Sequence, residues 1–378
     1  MRIWVLRIEN SFLSLQWMKC NIIYIVWCIV ALLVSCEGAG SVHGERKEEL
    51  LTQPVVPEHR LRLLFAGDAM CHYPQIVAAR QADGILNFRE SFAVMKPYFD
   101  RADIAVVNLE TTISPDAHYS GYPTFASPVE YAEALAWVGM DVALLANNHC
   151  CDRGRRGVHS TIATLDRLGV AHTGVFADED DYARNRVLRI EHNGIKLAIL
   201  NYTYGTNGIS VPQGCVVNMI DTTRMVADLD IAIENSDCVI ACMHWGDEYS
   251  RRPSREQRRL AEFLHRHGVD VVVGSHPHVV QPAKADGKSV TIYSLGNFVS
   301  NQRKRYCDGG VVAEIEVVKD AEGECRYSLV ITPVWVAMPG YHLLPPEQAG
   351  EEVVSAAQRA DYERFMLDTE QLFVRGLR

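Results

Sequence analysis

The 378-residue sequence predicts an α/β fold with mixed sheets, and three observations support this prediction. Strand-like apolar segments alternate with helix-like segments from residue 61 onward, which is typical of sheets covered by helices. Asn193-Gly194 lies between two apolar stretches and predicts a hairpin. A further β-run follows residue 289. Because 48% of the residues are hydrophobic, the chain can bury a sizeable core.

The first half of the predicted core contains three strands and three helices. The strands are apolar runs followed by polar residues, and they are expected at 61–67, 103–110 and 141–149. The helices are expected at the start of 88–99 and at 129–139 and 155–169. Gly139 and Gly169 stop the last two helices.

The second half repeats the alternation after the hairpin. The hairpin covers 186–203, and a helix (221–233) and a strand (237–246) follow it. Ser254 and Gln257 form a capping-box pattern that predicts the start of the next helix. The remaining predicted elements are strands at 269–274, 289–298, 309–318 and 325–338, and a terminal amphipathic helix within 351–375.

The N-terminal segment predicts export. Residues 1–36 have the pattern of a signal peptide, in which Lys19 precedes an apolar stretch (22–34) that is too short for a comfortable membrane span. Leu33-Val34-Ser35-Cys36 resembles a bacterial lipobox, so Cys36 is expected to carry lipid. An ordinary signal anchor is the alternative. We therefore expect an exported protein that is lipid-anchored to the bacterial cell envelope and faces the periplasm or the cell surface.

The composition divides the chain into further parts after the signal peptide. Polar residues rich in Gly and Glu predict a tether at 37–60. A single α/β domain is expected at 61–340, and a C-terminal extension at 341–378 is predicted to be helical. Met18 is an alternative start of the chain, because residues 1–17 fit no signal pattern.

The charge of the chain excludes one class of partner. The formal net charge is −10, so the chain lacks the basic footprint of a nucleic-acid-binding protein, and no nucleic-acid partner is expected. Short basic clusters, such as residues 303–305, are interpreted as solvated surface or as a rim that attracts an anionic substrate. The eight cysteines after Cys36 show no CxxC pair and no disulfide framework.

Polar side chains with metal-binding chemistry follow most of the predicted strands. Taken one at a time, each has a structural explanation, such as a helix cap, a turn or a buried histidine. Taken together they are expected to meet, because ligands of open α/β sheets bind outside the carboxyl ends of the strands. Their oxygen and nitrogen donors suit one or two divalent cations. The residues are Asp68, His72, Asn108, Glu110, Asn148, His149, Asp152, His244, His276, His278 and Asn297.

The segments that carry these residues resemble the motifs of a known family. In order, they are "FAGDAM", "VVNLETTIS", "LANNHCCDRG", "MHWGDEY", "VVVGSHPHVVQP" and "YSLGNF". This series is similar to that of the CapA family of bacterial capsule or poly-γ-glutamate synthesis proteins, from about Leu63 to Phe298. The family in turn resembles the calcineurin-like metallophosphoesterases. That resemblance implies a four-layer α/β/β/α sandwich with two central mixed sheets.

The wider resemblance also implies a role for each residue. It implies a general acid at His149, with Asp152 behind it, and a divalent cofactor such as Mn, Zn or Fe. Two departures from the phosphoesterase pattern are Met70, which stands where a histidine is usual, and Glu110, which replaces a bridging aspartate. The implied metal ligands are Asp68, Glu110, Asn148, His244, His276 and His278. Further candidates for metal or substrate contacts are His72, Asn108 and Asn297.

The implied function is that of an envelope lipoprotein in capsule or poly-γ-glutamate synthesis. Its substrate would be an anionic polymer, and its partners would be membrane-bound capsule synthase subunits. If the site is catalytic, a metal-dependent hydrolase would cleave a phosphoester or a γ-glutamyl amide, and His149 would protonate the leaving group. Two alternatives stay open, namely a periplasmic metal-dependent phosphoester hydrolase and a non-catalytic scaffold that binds the polymer or a synthase.

Overall fold

The computed structural model describes residues 6–8, 58–348 and 354–376. Cys36, most of the predicted signal peptide and nearly all of the predicted tether lie outside the described residues. Within the described ranges, no helix combines the length and the apolar character needed to cross a membrane.

The strands and helices of the described ranges are numbered in chain order. Strands β1 to β17 are Leu6–Ile8, His59–Ala69, Ile104–Leu109, Val142–Leu144, Ala171–Thr173, Val175–Phe176, Leu188–His192, Ile195–Thr203, Val216–Val217, Cys238–His244, Val271–Ser275, Ala283–Ala285, Val290–Ile292, Asn297–Val299, Gly309–Lys319, Cys325–Ala337 and His342–Leu344. Helices α1 to α9 are Tyr73–Ala79, Arg89–Phe92, Lys96–Phe99, Val129–Val138, Gly154–Leu168, Glu179–Asn185, Thr222–Ile233, Arg255–Arg266 and Ala356–Gly376. Short 3-10 helices cover Ala93–Met95 and Pro346–Gln348.

Two mixed sheets form the centre of the fold. The first has the order β1-β16-β15-β2-β3-β4-β5, with β14 beside β2 and β17 beside β16. In this sheet β14 and β2 to β5 are parallel, whereas β1 and β15 to β17 pair antiparallel. The second sheet has the order β12-β13-β11-β10-β8-β7, with parallel pairs in the middle and an antiparallel pair at each edge. The strand β1 lies inside the segment that the predicted signal peptide would remove.

The two sheets share one apolar core, and helices cover their outer faces. Side chains alternate across each strand, so that Phe65 of β2 and Ile240 of β10 belong to the same buried apolar cluster between the sheets. Leu135 of α4 packs on the outer face of the first sheet. Leu229 of α7 and Leu264 of α8 pack on the outer face of the second sheet. These four layers confirm the predicted α/β fold with mixed sheets.

Several local signals produce the structure that the sequence predicts. Asn193 and Gly194 adopt φ values of +50° and +76° in the hairpin of β7 and β8, and these left-handed values suit a two-residue hairpin turn. The Ser254 hydroxyl accepts from the Gln257 N–H at 3.1 Å, and the Gln257 side chain accepts from the Ser254 N–H at 2.9 Å. This capping box begins α8 at Arg255.

Two predicted strands differ from their expected bounds. Strand β4 ends at Leu144, because Asn147 donates to the Leu109 carbonyl at 2.9 Å and accepts from the His149 N–H at 3.0 Å. These side-chain bonds replace the sheet ladder and turn the chain. The predicted strand at 289–298 divides into β13 and β14, which belong to different sheets. The helix expected at the start of 88–99 is α2, and a 3-10 turn and α3 follow it.

Candidate metal centre

A bulge in β2 positions Asp68. The pairing of β2 with β3 shifts by one residue between Ala66 and Asp68, so Gly67 is the extra residue. A Cβ atom on Gly67 would lie 2.0 Å from the Gly296 carbonyl oxygen, and only glycine fits there. Asp68 itself is fully buried, and its N–H donates to that same carbonyl at 3.0 Å.

Strand β3 brings a second carboxylate to the same place. Glu110 follows the last residue of β3, and its N–H donates to the Ala69 carbonyl at 3.1 Å. Asn108 links the two acids, because its amide donates to Asp68 at 2.8 Å and lies 3.4 Å from Glu110 Oε2. Burial, together with the negative charge of Asp68, raises the pKa of Glu110 well above its ordinary value.

Two histidines on the turn after β11 face these acids. His276 and His278 adopt φ values of +99° and +58°, which non-glycine residues rarely take. Such strain concentrates at functional sites, where the surrounding structure holds it. The His276 N–H donates to both oxygens of Asp68 at 3.3 Å, and His278 Nδ1 lies 3.0 Å from Asp68 Oδ2.

Asn297 contributes to the orientation of His278. The Asn297 amide donates to the Cys307 carbonyl at 2.7 Å, which leaves its side-chain oxygen to face His278 Nδ1 at 3.1 Å. An oxygen at that position favours the tautomer with the proton on Nδ1. The other ring nitrogen, Nε2, lies 3.8 Å from Glu110 Oε1.

His244, at the end of β10, closes the cluster from the second sheet. Its Nε2 lies 2.9 Å from Asn148 Oδ1 and 3.8 Å from Glu110 Oε1. Asn148 is oriented by its own amide, which donates to Asn207 Oδ1 at 3.1 Å. Burial lowers the pKa of His244 well below its ordinary value and that of His276 to about 3. Both imidazoles are therefore neutral at pH 7, the form that binds metals.

His149 and Asp152 form a separate pair beside the cluster. His149 Nδ1 lies 2.8 Å from Asp152 Oδ2, and the same oxygen accepts from the Phe125 N–H at 2.7 Å. Phe125 also packs edge-on against the His149 ring, with the centroids 4.6 Å apart. His149 Nε2 faces the Asn207 amide at 3.4 Å. Asn207 thus connects this pair to Asn148.

The cluster fits a divalent cation. Glu110 Oε1 and His276 Nδ1 are buried and have no hydrogen-bond partner among the described residues. Orphaned polar atoms at such depth cost free energy unless something binds them. Two groups of three residues each bring their donor atoms close together. In each group the three donor atoms all lie within 4.8 Å of one another, and the groups are Glu110, His276 and His278, and Asp68, Glu110 and His244. Carboxylate oxygens with imidazole nitrogens are suitable ligands for Mn, Zn or Fe.

The structure brings most of the sequence-predicted residues into this network but leaves His72 at its margin. His72 Nδ1 accepts from the Asn301 N–H at 3.2 Å, and the His72 ring packs edge-on against Phe125. Burial lowers the pKa of His72 to about 4. The network itself contains Asp68, Asn108, Glu110, Asn148, His149, Asp152, His244, His276, His278 and Asn297.

Sequence reasoning missed three residues at the site. Tyr204 follows β8, and its ring centroid lies 4.5 Å from that of His276. Its position just after an apolar strand was a signal for it, since the other site residues occupy such positions. Asn207 and Tyr249 come from irregular loops with φ values of +52° and +66°. Tyr249 ends the motif "MHWGDEY", which was the one signal for it, and no sequence pattern marks Asn207.

The fold and the site together define the class of protein. It is a four-layer α/β sandwich with a candidate divalent-metal centre, which buried carboxylates and imidazoles form at the strand ends. Residues 62–302 match the family model described as bacterial capsule synthesis protein PGA_cap. This match covers more than half of the chain, and the chain belongs to that family.

Individual relatives agree with this family. The chain is 26% identical over 277 residues to the PGA biosynthesis protein CapA of Bacillus subtilis (strain 168), covering 71% of this chain and 70% of that protein. It is 28% identical over 269 residues to the capsule biosynthesis protein CapA of Bacillus anthracis, covering 66% of this chain and 64% of that protein. The crystal structure of a hypothetical protein from Thermus thermophilus aligns with a TM-score of 0.44 and 17% identity, over 72% of this chain and 99% of that chain. The relatives and the family model confirm the resemblance to the CapA family.

Proposed function

We propose that this chain acts in the synthesis of an anionic capsule polymer, poly-γ-glutamate, and that a divalent-metal centre is its working site. One observation carries the proposal. Glu110 is fully buried, and its Oε1 has no hydrogen-bond partner among the described residues although it lies 3.8 Å from Nε2 of both His244 and His278. The proposed ligands are Asp68, Glu110, Asn148, His244, His276 and His278.

The electrostatics of the cluster support a cation. Asp68 and Glu110 are both inaccessible to solvent, and within the described ranges no lysine or arginine forms an ion pair with either. Two carboxylates without a cation repel each other, which is one cause of the raised pKa of Glu110. A divalent ion between the acids and the neutral imidazoles would remove this repulsion and bind the orphaned atoms.

The chain's own residues supply positioning and a proton. The chemistry that a divalent ion supplies when bound is Lewis-acid polarisation of a carbonyl or phosphoryl oxygen. Asp152 holds His149 through Nδ1, so Nε2 is the atom that gives a proton to the leaving group. The Asn207 amide lies 3.4 Å from Nε2.

The proposed location is the cell envelope. The apolar stretch before Cys36 supports export and lipid attachment, and the names of the relatives place them in capsule and PGA biosynthesis. A lipid anchor at Cys36 with the tether at 37–60 would hold the domain near membrane-bound synthase subunits, which are the proposed partners.

Two alternative functions each have one observation in their favour. The pair of His149 and Asp152 is equally suited to a metal-dependent phosphoester hydrolase, because the leaving group of a phosphoester also needs a proton. Met70 favours a non-catalytic scaffold, because this buried thioether stands where the phosphoesterases have a histidine ligand.

A substrate screen of the full-length protein tests these three functions. The metal-loaded protein would be given a γ-linked glutamate oligomer and an aryl phosphodiester, with His276→Ala as the metal-deficient control. Cleavage of the oligomer that disappears in His276→Ala is the expected result. Cleavage of the phosphodiester alone would replace the proposed substrate by a phosphoester. Binding of the oligomer with no turnover of either compound would leave the scaffold.

A further inference from the structure

Two loops meet beside the histidine turn. The loop 246–252 follows β10, and the Tyr249 N–H donates to the Pro277 carbonyl, between the two histidines, at 2.8 Å. The Tyr249 ring centroid lies 6.2 Å from that of His278. From the loop 300–308, the Lys304 ammonium lies 3.8 Å from the Tyr249 ring centroid, which is cation–π geometry. An ammonium group is therefore held one aromatic ring away from the candidate metal centre.

Hydrogen bonds tie the Lys304 loop to the centre itself. The Lys304 carbonyl accepts from the Cys307 N–H at 2.8 Å, and the Cys307 carbonyl accepts from the Asn297 amide at 2.7 Å. The other end of that amide contacts His278 Nδ1 at 3.1 Å. The Arg303 guanidinium donates to two backbone carbonyls, at 2.7 Å and 3.0 Å, and fixes the start of the loop. The position of Lys304 relative to His278 is thus built into the fold.

The Lys304 ammonium has no ion-pair partner among the described residues, although the carboxylate of Glu248 interacts with the same Tyr249 side chain. The Lys304 side chain is exposed. Tyr204 and Tyr249, which contact His276 and His278, keep 46% and 37% of their surface exposed. The Lys304 ammonium lies over the Tyr249 ring and forms no ion pair with a described residue, so it has donors left for an anion that enters from solvent.

We propose that Lys304, held on the ring of Tyr249, binds an anionic group of the substrate unit next to the reacting bond and so selects an anionic polymer. The inference rests on the proposed function, because it concerns the substrate of the same centre. A carboxylate and a phosphate share the required chemistry. In a γ-linked glutamate chain, every unit carries a free carboxylate next to its amide, and this carboxylate is the expected partner.

Equilibrium binding to the full-length, Mn²⁺-loaded protein tests this inference. The probes are a fluorescein-labelled γ-linked glutamate oligomer, the same oligomer with its α-carboxylates converted to carboxamides, and a labelled linear polyphosphate. We expect the carboxylate form to bind roughly tenfold more tightly than the carboxamide form, as one hydrogen bond to a charged group provides. Lys304→Gln should reduce this ratio to about one.

Matched variants separate the site from general charge effects. Lys288→Gln removes the same charge from an exposed turn between β12 and β13 and should keep the ratio. Tyr249→Phe keeps the ring and the preference, whereas Tyr249→Leu should lose most of the preference. A Lys304-dependent preference for polyphosphate alone would identify the bound group as phosphate. A wild-type protein without any preference for an anionic probe, or a Lys304→Gln variant that keeps it, would overturn the inference.

The readout also distinguishes this inference from the proposed function. Binding is measurable whether or not the centre catalyses a reaction, and the metal content of the same samples is determined separately. An absent metal with an intact Lys304-dependent preference would reject the metal centre and keep the anion site. A bound metal without that preference would keep the metal centre and reject the anion site.

Discussion

Asp152 holds His149 by a 2.8 Å contact between Oδ2 and Nδ1, and both side chains are buried. Because Asp152 Oδ2 also accepts from the Phe125 N–H, this oxygen cannot turn away from the imidazole without losing a second hydrogen bond. The ring therefore presents Nε2 to the site. This relationship separates the proposed proton donor from the proposed metal ligands, and the two roles can be tested apart.

His149→Ala should keep the bound metal and lose about 10²–10⁴-fold in turnover, because a general acid acts only on the leaving group. His118→Ala, on an exposed loop, is the matched control and should change neither. The measurement is turnover and metal content in parallel, together with capsule production in cells at matched protein abundance. Normal capsule with His149→Ala and none with His276→Ala would rule out general-acid catalysis and leave only the metal.

Glu110→Gln should weaken metal binding and stabilise the metal-free protein. The raised pKa of Glu110 means that folding is favoured most below its ordinary value of about 4.5, and that this advantage is lost as the pH rises through the folded pKa. Above the folded pKa, where the wild-type carboxylate is charged, the neutral amide removes an unfavourable buried charge, so the metal-free variant should gain about 1–3 kcal/mol in the free energy of unfolding at such a pH. Denaturant unfolding with a chelator measures this change. A metal-free variant less stable than the wild type would contradict the orphaned-carboxylate argument.

Gly67→Ala should destabilise the protein by about 1–3 kcal/mol or more, because the added methyl group would overlap the Gly296 carbonyl. The bulge that aims Asp68 would shift with it, so metal binding should weaken as well. Gly205→Ala is the control, since a Cβ there meets no atom within 4 Å. The comparison is between the midpoint temperatures of thermal unfolding of the two variants. Equal midpoints would show that the close approach at Gly67 is not required.

Cys36→Ser should abolish incorporation of a fatty-acid analogue and release the protein from the membrane fraction. A single acyl chain gives only marginal membrane affinity, so retention depends on the several chains of a lipoprotein. Labelled cells are fractionated, and Cys325→Ser, in the folded domain, serves as the control. Unchanged labelling of Cys36→Ser would reject the lipobox.

Many elements of the fold, and the position of each candidate site residue at a strand end, follow from local sequence patterns. Asn193-Gly194 and the capping box of Ser254 and Gln257 encode a hairpin and a helix start through their own hydrogen bonds and φ values. Asp68, Glu110, His244 and His276 are found because parallel strands bring their carboxyl ends together. Periodicity locates each strand, and topology then gathers the residues that follow it.

The remaining features depend on long-range packing that the sequence pattern does not show. Asn207 and Tyr249 reach the site only through the path of their loops. Strand β4 ends early because the Asn147 side chain bonds to Leu109 on the neighbouring strand. Lys304 looks like one member of a basic surface cluster until Tyr249 is found beneath it. In each case the deciding partner is distant in sequence.

The metal content of the purified full-length protein tests the central claim most directly. Elemental analysis of wild type should find roughly one or two divalent ions per chain, and His276→Ala should lose them while its circular-dichroism spectrum stays unchanged. His265→Ala is the control, because that ring bonds to Val269 and Thr291 away from the cluster, and it should keep the full content. Wild type that binds no divalent ion after incubation with Mn²⁺, Zn²⁺ or Fe²⁺, or folded His276→Ala with undiminished metal, would contradict the account.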